Sequence, residues 1–362
     1  MRKTGFVFHE LYMWHDTGSA ACEVPPSLTV EPYQHIENAD AKRRFRNLLE
    51  VSGLLDSLVA VKPRYATEEE LARAHDKNYI AEICRQSAAG GGNGGDDAPF
   101  GRGSYEIAKL SAGGALAAGD AVMSGTVHNA YALVRPPGHH ALPARGMGFC
   151  LFNNVALLIL HAKEKWGVAK IANVDWDVHH GNGTEAIFYD DPSVLTVSMH
   201  QDGCFPADSG GMEQRGAGGG NINIPLPAGS GHGAYLAAFA EIVAPALRRF
   251  QPDLITVSCG FDAGILDPLA RMMCMPETFA AMTAQLLAIA DECCEGRVVM
   301  CHEGGYSPPF VPYCGLAVME ELSGIKTGVP NPFADSMATT GQQLQPHQRA
   351  QIDAIRACCL EN

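Results

Sequence analysis

The feature that most constrains the fold is a regular alternation between short apolar runs and longer segments of helical period. The apolar runs have the length of strands and contain many β-branched residues: 5–8, 131–135, 170–175, 193–199, 254–259 and 297–301. The helical segments lie between them: 39–54, 104–124, 153–166, 233–250, 277–294 and 309–324. Strands that are apolar along their whole length are typical of a parallel sheet buried on both faces. The alternation therefore predicts an α/β fold, in which a central, mostly parallel sheet is flanked by helices.

The composition supports one large globular unit and disfavours some partners. The chain has 362 residues, of which 46% are hydrophobic and 18% charged, so it has enough apolar material for a sizeable core. No repeat or long linker interrupts it, and we expect a single domain over 1–362, with a core at about 1–325 and a helical tail at 326–362. Its 26 basic and 40 acidic side chains leave a formal net charge of -14, which argues against a nucleic-acid partner and suits a cationic one.

The cysteines and the lack of long apolar segments indicate the compartment. Twelve cysteines are scattered without a CxxC pair, so neither a redox motif nor a cysteine zinc cage is expected. The first residues lack the apolar core of a secretion signal, and no run approaches the roughly 18 apolar residues that a membrane span needs. The expectation is a cytoplasmic protein with reduced thiols and no membrane partner.

Two long segments are predicted to be loops. Residues 9–38 are rich in turn formers and aromatic residues, and residues 88–103 are rich in glycine. Loops of this length in a compact domain are usually functional or mobile. The glycines of 88–103 lack the lysine and the spacing of a phosphate-binding loop, so a flexible loop is the simpler interpretation. The apolar run LYMW at 11–14 predicts an exposed patch, and hence a homo-oligomer.

Polar residues follow two of the predicted strands in a pattern that suits a metal ion. Asp177 and His179 come after the strand at 170–175, and Asp262 follows the strand at 254–259. Side chains two residues apart on extended chain project to the same side, and open α/β sheets bind ligands at the carboxyl ends of their strands. Two carboxylates and one imidazole leave a fourth position open, which is the arrangement of a catalytic zinc site. Taken singly, an aspartate at a strand end is more often a helix cap.

Two further clusters carry groups that transfer protons or stabilise charge. His139 and His140 follow two prolines that cannot continue a strand, so they lie on a stiff loop. Such a pair can have a structural role or bind a metal. Beside a zinc site it is also suited to proton transfer, because imidazole titrates near neutrality. Tyr306 follows two glycines after the strand at 297–301, and a phenol there can donate a hydrogen bond to an oxygen that gains negative charge.

Two aromatic loop motifs have both a structural and a functional interpretation. The motifs are Gly148-Phe149-Cys150 and Cys204-Phe205-Pro206. Aromatic side chains on loops are packed by default. If Phe149 and Phe205 face each other, however, they form a narrow apolar slot that admits an extended alkyl chain.

Five motifs, in this order and at these spacings, make the chain resemble the zinc-dependent histone deacetylase family. The motifs are RPPGHH, GFCLFNN, DWDVHHGNGT, GFDA and EGGYS. The resemblance is strongest to the bacterial histone deacetylase-like amidohydrolases and their acetylpolyamine-cleaving relatives, and it covers residues 1–325. It implies an arginase-like α/β fold with the active site at the carboxyl ends of the strands, and removal of acetyl groups by a metal-activated water.

The resemblance also implies roles for individual residues. His140 matches the histidine that acts as general base and then general acid, and His139 matches its electrostatic partner. Asp175 matches the carboxylate that orients His139, and Tyr306 matches the phenol that polarises the scissile carbonyl. Asn182 stands where one subgroup of the family has an aspartate behind the second histidine. The positions that match zinc ligands are Asp177, His179 and Asp262.

A substrate tunnel and a second ion follow from the same resemblance. The positions expected to contact substrate are Phe149, Phe205, Gly148, Leu269 and Asp97. The family also binds potassium, and the matching positions are Asp175, Asp177, His179, Ser198 and Met199. Leu269 stands at the tunnel mouth, where polyamine-selective relatives can have a glutamate, and its apolar side chain favours the stem of an acyl-lysine. Asp96 and Asp97 complicate this preference, because loop acids bind either a peptide backbone or a distant amine.

The sequence thus predicts an enzyme that removes acetyl groups from N-acetyl-lysine side chains of proteins or peptides, with zinc and potassium as cofactors. Hydrolysis of acetylpolyamines is the alternative. An arginase-type ureohydrolase with two manganese ions is a third possibility, but DWDVHHGN offers fewer bridging ligands than that chemistry needs. An acyl-lysine binding module without turnover is a fourth, and the presence of His139, His140 and Tyr306 argues against it.

Overall fold

The computed structural model describes residues 2–360 and is organised around a sheet of eight strands. In chain order the strands are β1 (Thr4–Val7), β2 (Val59–Val61), β3 (Asn129–Ala132), β4 (Ile171–Asp175), β5 (Val194–Gln201), β6 (Asn221–Leu226), β7 (Leu254–Cys259) and β8 (Val298–His302). Their spatial order is β6-β5-β4-β7-β8-β3-β1-β2, and every neighbouring pair is parallel. The predicted α/β fold with a parallel central sheet is confirmed.

The sequence pattern does not reveal the two edge strands. β2 has three residues, none of them fully buried, so it lacks a continuous apolar run. β6 alternates asparagine with isoleucine and contains Pro225, which is tolerated at an edge because a proline cannot donate to a neighbouring strand. The strand predicted at 131–135 is displaced, since β3 ends at Ala132 and the chain then leads into Pro136.

Helices cover both faces of the sheet. Their bounds are α1 (Asp40–Val51), α2 (Glu68–Leu71), α3 (Lys77–Ala89), α4 (Ser104–Met123), α5 (Asn154–Trp166), α6 (Asn182–Phe188), α7 (His232–Ala238), α8 (Ala244–Phe250), α9 (Pro276–Cys294), α10 (Val311–Ser323) and α11 (Pro346–Leu360). The helix predicted at 233–250 is divided into α7 and α8 by a π-helical turn at Phe239–Val243. α2, α3 and α6 were not predicted, and α3 extends into the expected loop at 88–103.

The hydrophobic core has two layers, one on each face of the sheet. α4 and α5 pack on one face, where Leu116 and Leu158 are fully buried. α1, α9 and α10 belong to the other layer, which contains Phe45 and Phe279. Because both faces are covered, polar side chains that follow the strands collect at the carboxyl ends, where the loops leave the sheet.

A C-terminal helix covers one edge of the sheet. α11 contacts β6 and buries Ile352 and Ile355, and the Gln351 side chain donates to the Pro225 carbonyl at 3.3 Å. Covering an edge strand blocks pairing with another chain. Of the helical tail predicted at 326–362, only Pro346–Leu360 is an α-helix and packs on the core, whereas 326–345 contains only short 3₁₀ turns. Residues 361 and 362 lie outside the described part of the chain. The single-domain organisation stays a prediction.

The segment predicted to carry an exposed apolar patch is largely inside the protein. Glu10–Trp14 forms a 3₁₀ helix in which Tyr12 and Met13 are buried, while Trp14 is 65% exposed. The Tyr12 hydroxyl donates to the Leu110 carbonyl in α4 at 3.1 Å. The exposed patch at 11–14 is therefore smaller than predicted, because Tyr12 packs on α4 while Trp14 stays exposed. The homo-oligomer stays a prediction, which the molar mass in micromolar solution would test.

The glycine-rich segment predicted to be a flexible loop is instead paired with its surroundings. Gly91–Asn93 pairs antiparallel with Pro99–Gly101, and Gly95–Asp96 pairs with Gly146–Met147. A Cβ on Gly91 would lie 2.4 Å from the Phe100 carbonyl oxygen, so the glycine permits this close approach. The glycines are needed for backbone contact, which composition alone does not distinguish from flexibility.

The structure bears on two further expectations. All twelve cysteines are free thiols in the structure. Across residues 2–360, the helices are all too short or too polar to cross a bilayer.

Candidate active site

The predicted site residues converge where adjacent strands of the sheet end. β4, β7 and β8 are neighbours, and β5 flanks β4 on its other side. Asp175 is the last residue of β4, and Asp262 and Glu303 lie in the loops that follow β7 and β8. The parallel arrangement therefore brings together carboxylates that are far apart in sequence.

Three side chains form a compact group with the chemistry of a metal site. One ligand atom each from Asp177, His179 and Asp262 lies within 4.8 Å of the others, and all three residues are buried. His179 Nδ1 is 3.2 Å from an oxygen of Asp177 and 3.2 Å from an oxygen of Asp262. Two carboxylates and an imidazole suit a divalent ion such as zinc.

Backbone groups hold these carboxylates in place. The Gly304 N–H donates to Asp177 at 2.8 Å, and the Val178 N–H donates to Asp262 at 2.8 Å. A Cβ on Gly304 would lie 2.0 Å from an Asp262 oxygen, so only glycine fits at that position. Burial, reinforced by the charge of Asp177, raises the pKa of Asp262 to about 6. Buried carboxylates that repel each other are what a bound cation would stabilise, and the residues present fit a divalent metal.

His139 is held by a carboxylate on each side. Its Nδ1 lies 2.9 Å from Asp175, and its backbone N–H donates to Glu303 at 3.1 Å. Burial opposes a charge on His139, but Asp177 and Asp175 outweigh that effect and raise the pKa of the imidazole to about 10. The carboxylates around His139 therefore favour its protonated form.

His140 has the opposite character. Its Nδ1 donates to the Asn182 amide oxygen at 2.7 Å, so Nε2 is left as the basic nitrogen. Burial, together with the neighbouring charges of His139 and His179, holds the pKa of His140 well below its usual value. The rings of His139 and His140 are 3.9 Å apart. The lowered pKa keeps Nε2 of His140 unprotonated, which is the resting state that a general base needs.

A narrow cavity of about 170 Å³ lies next to these histidines and the metal-binding group. The residues that line it are Glu23, Asp97, His140, Gly148, Phe149, His179, Cys204, Phe205, Leu269 and Tyr306. Phe205 contacts His140 edge-on with ring centres 5.0 Å apart, and Phe149 contacts Tyr306 in the same way at 5.8 Å. A Cβ on Gly148 would lie 2.5 Å from the His140 ring, so this glycine keeps the cavity floor open.

The remaining predicted residues divide between the cavity and its surroundings. Asp97 lines the cavity, whereas Asp96 pairs with Arg145 at 2.9 Å. Ser198 stands opposite Asp175 in the β4–β5 pairing, and its hydroxyl lies 2.9 Å from His200 Nδ1. Met199 follows it in β5. The positions expected to bind potassium are thus adjacent to the metal-binding group.

Several residues that shape the site were not predicted. Asp267 accepts from the Tyr306 N–H at 2.8 Å and from the Leu269 N–H at 2.9 Å, so one carboxylate fixes two cavity residues. Burial, with the nearby Asp262 charge, raises the pKa of Asp267 to about 8. The sequence offered one indication of this role, since Asp267 lies between the GFDA motif and Leu269. Glu23 and Lys42 reach the cavity or its wall from the segment before α1 and from α1 itself, and no motif marks them.

Comparisons with known proteins agree with this geometry. The family described as histone deacetylase domain matches residues 35–322. A histone deacetylase-like amidohydrolase of Pseudomonas aeruginosa is 48% identical over 364 residues, which cover 98% of this chain and 96% of that protein. The polyamine deacetylase HDAC10 of Mus musculus is 40% identical over 289 residues, covering 76% of this chain and 43% of that protein.

The fold agrees in the same way. The crystal structure of the HDA15 HD domain matches with a TM-score of 0.86 and 29% identity, over 99% of this chain and 96% of that one. The resemblance predicted from the five motifs is therefore confirmed along nearly the whole length. The chain belongs to the histone deacetylase family.

Proposed function

We propose that the protein is a zinc-dependent amidohydrolase that removes acetyl groups from N-acetyl-lysine side chains of proteins or peptides. The observation that carries the proposal is one cavity lined by His140, His179 and Tyr306, with Asp177 and Asp262 directly behind it. A metal-binding group, a proton carrier and a hydrogen-bond donor are the three parts that amide hydrolysis requires.

The proposed zinc ligands are Asp177, His179 and Asp262, whose ligand atoms already face one another. When bound, zinc would lower the pKa of a water molecule to about 7 and polarise the acetyl carbonyl. The backbone donors to Asp177 and Asp262 fix the two carboxylates before any metal binds. A site prepared in this way has little reorganisation to undergo.

The proton transfers are assigned to His140. Its Nε2 accepts a proton from the attacking water and returns it to the nitrogen of the leaving amine, while Asn182 holds Nδ1 in the donating form. His139, oriented by Asp175, supplies positive charge next to it. Tyr306 donates its hydroxyl hydrogen to the carbonyl oxygen as that oxygen gains negative charge.

The substrate class is argued from the cavity walls. Phe149, Phe205 and Leu269 form a narrow apolar lining that suits the extended alkyl stem of lysine. Acetylpolyamines are the second candidate, favoured by the carboxylates of Asp97 and Glu23 in the same lining and by the similarity to a polyamine deacetylase. Both substrates share the scissile amide, so the choice depends on what binds at the mouth.

A substrate panel with zinc-loaded protein tests the proposal. We expect acetate release from acetyl-lysine peptides with a kcat/KM above that for N-acetylputrescine, since this ratio reports differential transition-state binding. A ratio of these kcat/KM values well below one would indicate that acetylpolyamines, rather than acetyl-lysine peptides, are the substrate class. Absence of acetate release from every member would contradict the hydrolase itself. Two manganese ions per chain would instead support a ureohydrolase, and tight binding of acetyl-lysine without release would support a binding module.

A potassium ion is proposed as the second cofactor. Its expected positions are Asp175, Asp177, His179, Ser198 and Met199. Support comes from the adjacency of Asp175 and Ser198 across the β4–β5 pairing, since hard cations prefer oxygen ligands. Activity measured in potassium and in choline buffers at equal ionic strength would differ if the ion is required.

We also propose a cytoplasmic location and substrates that are acetylated amines rather than nucleic acids. The free thiols and the net charge of -14 support both points. Fractionation of cells that express the native chain would test the location.

A further inference from the structure

A buried lysine lies against the ring of Tyr306, and nothing in the reaction described above uses it. Lys42, in α1, is 1% exposed, and its ammonium nitrogen is 5.3 Å from the centre of the Tyr306 ring. The same nitrogen is 2.8 Å from a carboxylate oxygen of Glu37. Burying a lysine is costly, so a fully buried ammonium group next to a cavity residue requires a physical reason.

Neutralising Glu37 does not supply that reason. Arg135 already contacts both oxygens of Glu37, with Nε at 2.9 and 3.0 Å and a terminal nitrogen at 2.8 Å. Arg135 also donates to the carbonyl of His15 at 2.6 Å. With Glu37 paired by the guanidinium, Lys42 brings a formal positive charge in excess. That charge is directed at the electron-rich face of an aromatic ring, where a cation is stabilised.

The other contacts of Tyr306 involve its backbone and one edge of its ring, and Lys42 contacts the face of the ring. Asp267 holds the backbone N–H of Tyr306, and Phe149 meets the ring edge-on at an angle of 81°. Asp267 brings a negative charge near the phenol and Phe149 brings none, so neither contact supplies a positive charge. Lys42 supplies both a packing surface and a positive charge, 5.3 Å from the centre of the ring that carries the hydroxyl.

We infer that Lys42 is a positioning residue for Tyr306, which holds the phenol ring in its donating orientation and places a buried positive charge behind it. The inference rests on the proposed role of Tyr306 in amide hydrolysis. Because the contact matters most while the carbonyl oxygen gains charge, loss of Lys42 lowers kcat and leaves KM nearly unchanged.

The test is a double-mutant cycle in the zinc-loaded enzyme. Lys42→Gln keeps a hydrogen-bond donor to Glu37 but removes the charge, and Lys42→Arg keeps the charge. We expect kcat to fall by roughly 10–30-fold in Lys42→Gln, as for a desolvated cation–ring contact, and to recover most of that loss in Lys42→Arg. In a Tyr306→Phe background, Lys42→Gln should lower kcat by less than about threefold, because there is no hydroxyl left to position.

Lys109 provides a matched control. Its ammonium nitrogen lies 5.2 Å from the centre of the Tyr105 ring, a similar contact that does not line the cavity. Lys109→Gln should leave kcat unchanged. Zinc content and melting temperature of each variant establish that it is folded and loaded, and Lys42→Met replaces Lys42→Gln if the latter does not fold.

Two results would overturn the inference. One is an equal fall in kcat with and without the Tyr306 hydroxyl, which would make Lys42 a general structural residue. The other is a rise in KM at constant kcat, which would assign Lys42 to substrate binding. If Tyr306→Phe alone retains normal kcat, the proposed role of Tyr306 fails instead, so the two failures are distinguishable.

Discussion

Two buried groups of charged residues adjoin the cavity, and they differ in their balance of carboxylates and cations. The acidic cluster consists of Asp175, Asp177 and Asp262 with His139 and His179. The cationic cluster consists of Arg135 and Lys42 around Glu37. The first has more carboxylates than permanent cations, and the second has more cations than carboxylates.

Asp262 of the acidic cluster and Glu37 of the cationic cluster are both buried carboxyl groups, but their pKa values shift in opposite directions. Burial alone raises the pKa of a carboxyl group. In the acidic cluster Asp177 adds to that effect, and the pKa of Asp262 rises to about 6. In the cationic cluster Arg135 and Lys42 outweigh burial and hold the pKa of Glu37 well below its usual range. The carboxylate of the cationic cluster is therefore neutralised by cations of the chain itself, whereas the acidic cluster is suited to an additional cation.

Among the substitutions that compare the two clusters, we expect Glu37→Gln to have the largest effect on stability. The substitution keeps the size of the side chain but leaves Arg135 and Lys42 buried without their carboxylate. We expect the free energy of unfolding at pH 7 to fall by about 3–5 kcal/mol, measured by urea denaturation. Because the folded-state pKa of Glu37 is lowered, its contribution is present above the unfolded value near 4.5 and is lost as pH falls below it. The difference from wild type should therefore shrink in acid.

Asp262→Asn is the matched control in the acidic cluster. It also removes one buried carboxylate, while the amide that replaces it retains an oxygen to accept from the Val178 N–H. In metal-free protein the stability of this variant should equal or exceed that of wild type, because repulsion from Asp177 is relieved. Equal destabilisation by both substitutions would show that the two clusters do not differ in the way described.

The second prediction concerns metal binding. Zinc added at 100 times its dissociation constant should raise the free energy of unfolding by about 2.7 kcal/mol, since only the folded chain brings the three ligands together. Urea denaturation with and without zinc measures this. Asp262→Asn should lose most of the increase, and Glu37→Gln should keep it. A similar gain in wild type and Asp262→Asn would place the metal elsewhere.

The smallest effect is expected at the cavity mouth. Leu269→Glu adds a carboxylate where the side chain is only partly buried, close to Asp97 and Glu23. The ratio of kcat/KM for N-acetylputrescine over an acetyl-lysine peptide should rise by up to about fivefold, as expected for a solvent-exposed charge pair. Leu269→Gln is the neutral control and should leave the ratio near the wild-type value. A fall in the ratio would mean that charge at this position does not select the amine.

The outcome at particular residues shows why some of the structure was predictable. Asp177, His179 and Asp262 were placed together because each follows a strand, and parallel strands end at one edge of the sheet. The edge strands β2 and β6 were missed, because an edge position does not require the continuous apolar run that marks a buried strand. The patch at 11–14 was overestimated, because the burial of Tyr12 against α4 cannot be detected in the local sequence.

The sequence by itself determined the alternation of strands and helices, the family, and the positions of the metal-binding and histidine motifs. Each of these depends on short segments with a characteristic period or spacing. What only the tertiary structure decided is the environment of those groups. Arg135 comes from a part of the chain distant from Glu37 and Lys42, and Asp267 contacts Tyr306 although α9 and β8 lie between them in sequence. Burial and charge at such contacts depend on how distant segments meet, and packing of the whole chain is what brings them together.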